Sequence, residues 1–221
     1  MIFWRKKIFC PLCRMEFESV RVFSESVRIK SRDYDLKPVF EGVNAIFFQL
    51  VTCPHCYLTM YEDDFEKEIP EDKIKELVMV LKNAKKKFSI NLGENKAIND
   101  AINQHYIAVA VYTVLENRRK LAEVYLKLAW LLREKGKMEE ELIALAKALK
   151  NFEEYYKYEM IEEKEGPMIL FYMAVINQRF GNKKEAGKWF SELFRRYGNT
   201  NSYYVKVGKE RWQDLRSSLS H

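Results

Sequence analysis

The sequence predicts an α+β protein that is mainly α, with a small β-containing module ahead of an antiparallel helical array. Three observations carry this. All four cysteines of the 221 residues fall in two Cys-x-x-Cys pairs close to the N-terminus, Cys10/Cys13 and Cys53/Cys56. Glycine and proline are scarce, at 8 and 5, against 32% charged residues, which suits long helices and few turns. From residue 95 onward, apolar residues recur at helical spacing and the runs are punctuated by single glycines.

The cysteine pairs, Cys10-Pro11-Leu12-Cys13 and Cys53-Pro54-His55-Cys56, leave no cysteine over. Each pair sets two thiolates on one tight turn, close enough to take adjacent corners of a tetrahedral ion with metal–sulfur bonds of ~2.3 Å for zinc. Residues 14 to 52 must then fold back to bring the second hook over the first. This is the layout of a zinc ribbon, with Cys10, Cys13, Cys53 and Cys56 as ligands to one structural Zn2+. Iron fits the same four thiolates, and availability and setting, rather than the ligand set, favour zinc. Two disulfides are the first alternative, opposed by the cytosolic setting that the absence of an export signal suggests. A redox Cys-x-x-Cys is the second, and neither copy opens a helix in a βαβ context. Arg14 and Tyr57 follow the hooks at positions where glycine often relaxes the backbone.

Between the hooks, Val20, Val22, Val27 and Ile29 alternate with polar residues, and Ala45 to Thr52 reads as a β run leading into Cys53. Arg32-Asp33-Tyr34-Asp35 forms a polar loop, its aspartates placed to accept backbone or arginine hydrogen bonds or to support the metal turns from behind. Glu62, Asp63 and Asp64 read as caps or solvated groups at a helix start. Pro70 opens a helix whose apolar face runs through Ile74, Leu77, Val78, Leu81 and Phe88 to Lys85-Lys86-Lys87, lysines that complement the dipole of a last turn. Ser89 to Glu94 is the clearest linker. The division that follows is 1–66 for the metal module, 67–94 for a connecting helix and linker, and 95–221 for the helical domain.

In that domain Ile98 to Val109, Leu121 to Leu132 and Leu142 to Tyr156 mark three helices. Pro167 opens a fourth that runs to Phe180-Gly181, Ala186 to Phe194 mark a fifth, and Val205, Trp212, Leu215 and Leu219 a final stretch. Ala129 and Ala174 each lie seven residues before a glycine, Gly136 and Gly181, where small residues let paired helices approach. The segment from Leu170 to Phe190 resembles the tetratricopeptide pattern. The two glycines are 45 residues apart rather than the usual ~34, so the helix beginning near Glu139 must be longer than in a standard repeat.

Cys10-Pro11-Leu12-Cys13, Arg32-Asp33-Tyr34-Asp35, the run into Cys53-Pro54-His55-Cys56, Leu128 to Glu134 and the Phe180-Gly181 helical pair occur in that order. Together they resemble the bacterial domain-of-unknown-function 2225 family over nearly the whole chain. The resemblance implies an architecture, a zinc-ribbon-like four-cysteine module followed by tetratricopeptide-like helices, and no activity. Tyr57 replaces the usual glycine after the second hook. The tetratricopeptide resemblance implies a concave groove toward which Trp130, Arg133, Gln178 and Arg179 point, suited to an acidic peptide or a carboxylate terminus. The competing reading puts Trp130 in the core and pairs the arginines with neighbouring acids such as Glu134.

Formal net charge is +6, and the segment 178–216, with ten Lys/Arg against four Asp/Glu, carries an equal excess. The apolar start Met1 to Trp4 ends at Arg5-Lys6-Lys7, too short for a signal segment, and no run approaches the ~20 apolar residues of a membrane span. A soluble, cytoplasmic protein is expected. The favoured function is a non-enzymatic adaptor or scaffold, its metal module holding the N-terminal part together and its helices binding a protein or acidic peptide. The alternative is a nucleic-acid binder using the zinc module and the basic C-terminal helices, where Trp189, Tyr203, Tyr204 and Trp212 interleave with cations, although a helical core needs the same spacing. An enzyme is least supported. His55 lies inside a hook, His105 in a helical stripe and His221 at the end, and no nucleophile triad, phosphate loop or His-Glu-x-x-His motif occurs.

Overall fold

The structure, a computed structural model, describes residues 1–217. Leu219 and His221, both named above, lie outside them. Three two-stranded antiparallel hairpins come first: β1 (Phe3–Phe9) with β2 (Glu16–Val22), β3 (Arg28–Arg32) with β4 (Pro38–Glu41), and β5 (Leu50–Thr52) with β6 (Thr59–Tyr61). Registers pair Phe9 with Glu16 and Thr52 with Thr59, so the turns closing the first and third hairpins are the two cysteine hooks. Arg32 pairs with Pro38, which makes Asp33-Tyr34-Asp35 the turn of the second.

The expected strand from Ala45 to Thr52 forms only at its end. Ala45–Phe48 is a 3-10 turn, because the Asn44 side chain accepts a hydrogen bond from the Ile46 amide and caps it. An unbroken apolar run has no period to distinguish the two forms, and the preceding Asn decides. A second 3-10 turn, Glu62–Glu66, carries the acids read as solvated. Asp64 is in fact buried, accepting from the Tyr112 hydroxyl at 2.5 Å and from Lys67 at 2.7 Å, and Glu62 pairs with Lys6 and Arg21.

Seven helices follow among the described residues: α1 (Glu71–Lys87), α2 (Ile98–Val114), α3 (Arg118–Glu134), α4 (Met138–Tyr158), α5 (Gly166–Arg179), α6 (Lys183–Tyr197) and α7 (Tyr203–Ser217). At 21 residues α4 is the longest, as the glycine spacing requires. Gly136 and Gly181 end α3 and α5 with φ of 75° and 76°. In both turns the next two amides return to the helix: Gly136 to Arg133 and Lys137 to Leu132, Gly181 to Gln178 and Asn182 to Asn177. Glu116, with φ 54°, makes the same turn between α2 and α3. A residue with a Cβ in this region hides the punctuation, so the sequence shows two such turns where the fold has three. Ala129 and Ala174 are fully buried, and α3 packs on α4 and α5 on α6.

Two apolar clusters fill the interior, and both cross from hairpins to helices. One gathers Leu36 and Ile46 with α3 to α7. The other gathers Cys10, Cys53, Leu58 and Met60 with Leu77 of α1, Ile107 and Tyr112 of α2 and Val124 of α3. The segment between α1 and α2 is pinned as well. Asp100 accepts from the amides of Asn91 and Ala97, and Lys96 reaches the Phe47 carbonyl and Gln104. No helix among the described residues is long and apolar enough to cross a membrane.

Candidate metal centre and carboxylate clasp

Both hooks fold by the same local rule. In the first, the Arg14 amide donates to the Cys10 carbonyl at 2.9 Å and the Cys10 amide to that of Met15 at 3.0 Å. In the second, Tyr57 donates to Cys53 and Cys53 to Leu58, both at 2.9 Å. Such a turn forces the residue after the second cysteine into the left-handed region, and Arg14 and Tyr57 sit there with φ of 63° and 67°. The departure from glycine noted in the sequence is thus accommodated at a steric cost, and the ligand geometry is kept.

The hooks meet face to face. Sγ of Cys10 lies 3.6 Å from that of Cys56, Sγ of Cys13 lies 3.6 Å from that of Cys53, and all four lie within 4.8 Å of one another. A tetrahedron with metal–sulfur bonds of ~2.3 Å has edges of ~3.8 Å, so this spacing fits one ion. It is far beyond the ~2.05 Å of a disulfide, and all four cysteines are free. Cys10 and Cys53 are buried, Cys13 and Cys56 half-buried. Hydrogen bonds from Cys53 and Cys56 pull the Cys10 thiol far down, while the bond to Cys10 pushes both of those thiols up. Close thiolates repel, and a bound cation would let all four ionise. Lys85 braces the second hook, donating to the His55 carbonyl at 3.0 Å with its ammonium over the Tyr57 ring.

The hairpin carrying that hook is tied to the helices by polar groups the sequence did not single out. Gln104 of α2 is 1% exposed and donates to Thr52 Oγ1 at 2.9 Å. The Tyr61 amide donates to the Tyr112 hydroxyl at 2.9 Å, and the ammonium groups of Lys120 and Lys127 each lie 4.6 Å from the Tyr61 ring centre. Burial lowers Lys127 to about 8. His105 is enclosed too: its Nδ1 lies 2.7 Å from the Ala101 carbonyl, Nε2 has no partner among the described residues, and burial lowers it to about 4.

A second cluster forms where the groove was expected. Trp130 is 6% exposed, and its Nε1 donates to Asp35 at 3.0 Å. Arg133 donates to Asp33 at 3.1 Å, to Asp35 at 2.8 and 3.1 Å and to Glu141 at 2.8 Å, while its guanidinium lies over the Tyr34 ring. Burial works against the Arg133 charge, and Asp35 and Glu141 more than offset it, raising the guanidinium further. Arg179, on the exposed side, reaches Glu141 at 3.3 Å. Gln178 is half-buried, with its amide oxygen unpartnered among the described residues. Three of the four residues thus converge, around carboxylates supplied by the chain itself. Glu141, the acid that joins the two arginines, was not singled out in the sequence; the acid paired with Lys37 is Glu134. Arg211 of α7 completes the clasp by donating to the Tyr34 carbonyl at 2.9 Å.

At least four of the ten cations of the basic C-terminal segment pair with its own acids, and its excess of positive charge stands. Lys188 pairs with Glu185, Arg195 and Arg196 with Glu192, and Arg211 with Asp214. Three of its four named aromatic residues pack inward, Trp189 against Tyr156, Trp212 against Phe190, and Tyr204 against Phe171 and Tyr172, while Tyr203 is 51% exposed.

Fold and site together define a mainly helical protein carrying a four-cysteine site of metal-binding geometry on paired hairpin turns. The chain belongs to the family described as "Uncharacterized protein conserved in bacteria (DUF2225)", whose model matches residues 3–215. It is 23% identical over 128 residues to an uncharacterized protein of Borreliella burgdorferi (strain ATCC 35210 / DSM 4680 / CIP 102532 / B31), a match covering 52% of this chain and 45% of that relative. The chain therefore spans under half the length of the curated relative it matches. No solved structure matches it.

Proposed function

We propose that the protein is a non-enzymatic, zinc-stabilised adaptor or scaffold of the cytoplasm, whose helical surface binds a protein partner. The observation that carries this reading is the closed donor set: four cysteine sulfurs within 4.8 Å of one another, with no fifth metal-ligating group in the cluster among the described residues. Four thiolates fill a tetrahedral ion, leaving no position for substrate water, so the ion's contribution is to hold two hairpin turns together. The residues around it brace those turns through backbone hydrogen bonds and Lys85. An adaptor reading also accords with the clasp, which commits the arginines of α3 and α5 to internal carboxylates and leaves outer helix faces for partners. The nucleic-acid reading is less favoured because Trp189, Tyr204 and Trp212, three of the aromatic residues it relied on for stacking, pack against other rings of the protein.

The test is metal content of freshly purified protein by elemental mass spectrometry, with thiol titration before and after chelation. About one zinc per chain, with thiols masked until chelation, is the expected result. Absence of metal with reactive or disulfide-bonded cysteines would overturn the structural site and bring the redox reading forward. Tight oligonucleotide binding that weakens steeply with salt would overturn the adaptor reading in favour of nucleic acid.

A further inference from the structure

The four sulfurs of the cluster are not equally open to water. Cys10 and Cys53, the first cysteine of each hook, are fully buried and belong to the apolar cluster that reaches α1, α2 and α3. Cys13 and Cys56, the second of each hook, are half-buried and pack on the edge of that cluster. A reagent dissolved in water therefore meets the site at one sulfur of each hook. Contacts between the hooks then pair each accessible sulfur with a buried one: Cys56 with Cys10 and Cys13 with Cys53, both at 3.6 Å, across 46 and 40 positions of the chain.

We propose that the cluster is an oxidation site for hydrogen peroxide, at which Cys13 and Cys56 react first and the buried cysteine of the opposite hook closes each disulfide, releasing the metal. This assignment takes the site to hold zinc, as proposed above. In the first step the sulfur of Cys56 attacks a peroxide oxygen: the S–O bond forms, the O–O bond breaks and hydroxide leaves, giving a sulfenic acid. In the second, the Cys10 thiolate attacks that sulfur, forming the S–S bond and expelling another hydroxide. Cys13 and Cys53 repeat both steps. Four thiolates and two peroxides thus become two disulfides and four hydroxides, and Zn2+, with no thiolate left to hold it, passes into solution. Each pair has to close by about 1.5 Å to reach the ~2.05 Å of a disulfide. Cys53 also contacts Cys10 and Cys56. The first of these pairs has no exposed member to start the reaction, and the second lies within one hook and would leave the hooks unconnected. The cross-hook bonds instead close the long loops between the two turns and hold them face to face, as the ion does. Peroxide therefore exchanges one tie between the hairpins for another, and a thiol reductant with zinc reverses the exchange.

The test starts from the full chain, reduced and loaded with zinc, with its metal content measured first. Hydrogen peroxide is added in steps, zinc release is followed with a chromogenic chelator, and the cysteines are mapped by mass spectrometry without reduction. About one zinc should leave for every two peroxides consumed, with Cys10 linked to Cys56 and Cys13 to Cys53. Dimedone, which captures sulfenic acids, should label Cys13 and Cys56 and leave Cys10 and Cys53 unlabelled. The oxidised, zinc-free chain should keep a higher thermal midpoint of its helical circular dichroism than the chelated, reduced chain, and dithiothreitol with zinc should restore the starting state. Disulfides within the hooks, dimedone on Cys10 or Cys53, or zinc retained under a large excess of peroxide would each overturn the oxidation site while leaving the structural zinc site standing. A chain that takes up no zinc at the first step would overturn the proposed function as well.

Discussion

Asp35 and Arg133, 98 residues apart in the chain, form a two-pronged ion pair, with Nη2 donating to Oδ2 at 2.8 Å and Nη1 to Oδ1 at 3.1 Å. Asp35 is 1% exposed and accepts from Trp130 as well, so a carboxylate from the second hairpin turn fixes that turn against α3. Arg133→Ala would leave Asp35 buried without its cation and Glu141 with Arg179 alone. The expected cost is ~3–5 kcal/mol, read as a drop in the urea midpoint. Arg133→Lys should recover only part of it, because a single ammonium cannot occupy both prongs.

Removal of the metal, by chelation or by Cys53→Ser, should lower the thermal midpoint of the helical circular dichroism signal as well as loosen the hairpins. The cluster that contains Cys10 and Cys53 also contains Leu77, Ile107 and Val124, so the hooks and the first three helices share one core. A helical melting curve indifferent to chelator would show the two parts to be energetically separate.

Arg14→Gly should stabilise the protein by about 1 kcal/mol, since Arg14 is exposed and held at φ 63°, a region glycine enters freely. Tyr57→Gly should give no such gain: the half-buried Tyr57 ring lies beneath Lys85, and its loss offsets the relief. Paired denaturant melts of metal-loaded variants would check both.

Acid should weaken the fold through His105. Its folded-state value is lowered to about 4, first by burial and then by the charges of Lys127 and Lys96, against 6.5 for the free side chain. Above pH 6.5 both states carry a neutral ring and no dependence arises. Between pH 6.5 and about 4 the unfolded chain binds the proton and the native one does not, so stability falls as pH drops, by up to ~1.4 kcal/mol per unit. His105→Gln should flatten this limb in urea melts taken across that window, and an unchanged slope would exclude His105 as its source.

Much of the local structure is legible because each signal acts over a few residues. Two Cys-x-x-Cys hooks, a proline before α1, glycines after α3 and α5 and helical apolar spacing place most helix positions and the four cysteines of the cluster without reference to anything distant. Where the signals fail, a local competitor is at work. Asn44 captures Ala45–Phe48 into a 3-10 turn, and Glu116 makes a left-handed turn that glycine would have announced.

The amino-acid sequence by itself determined the four-cysteine site, the order of a β-containing module and then helices, and the extra length of α4, because short-range sterics, capping and periodicity govern all three. Only the tertiary structure decided how the charges are used. Asp35 and Arg133 are both visible as residues, but nothing along the chain says that a hairpin turn closes on α3 rather than leaving the groove to a ligand. Ion pairing depends on distance in space, and the packing of two shared apolar cores brought these side chains to 2.8 Å from one another.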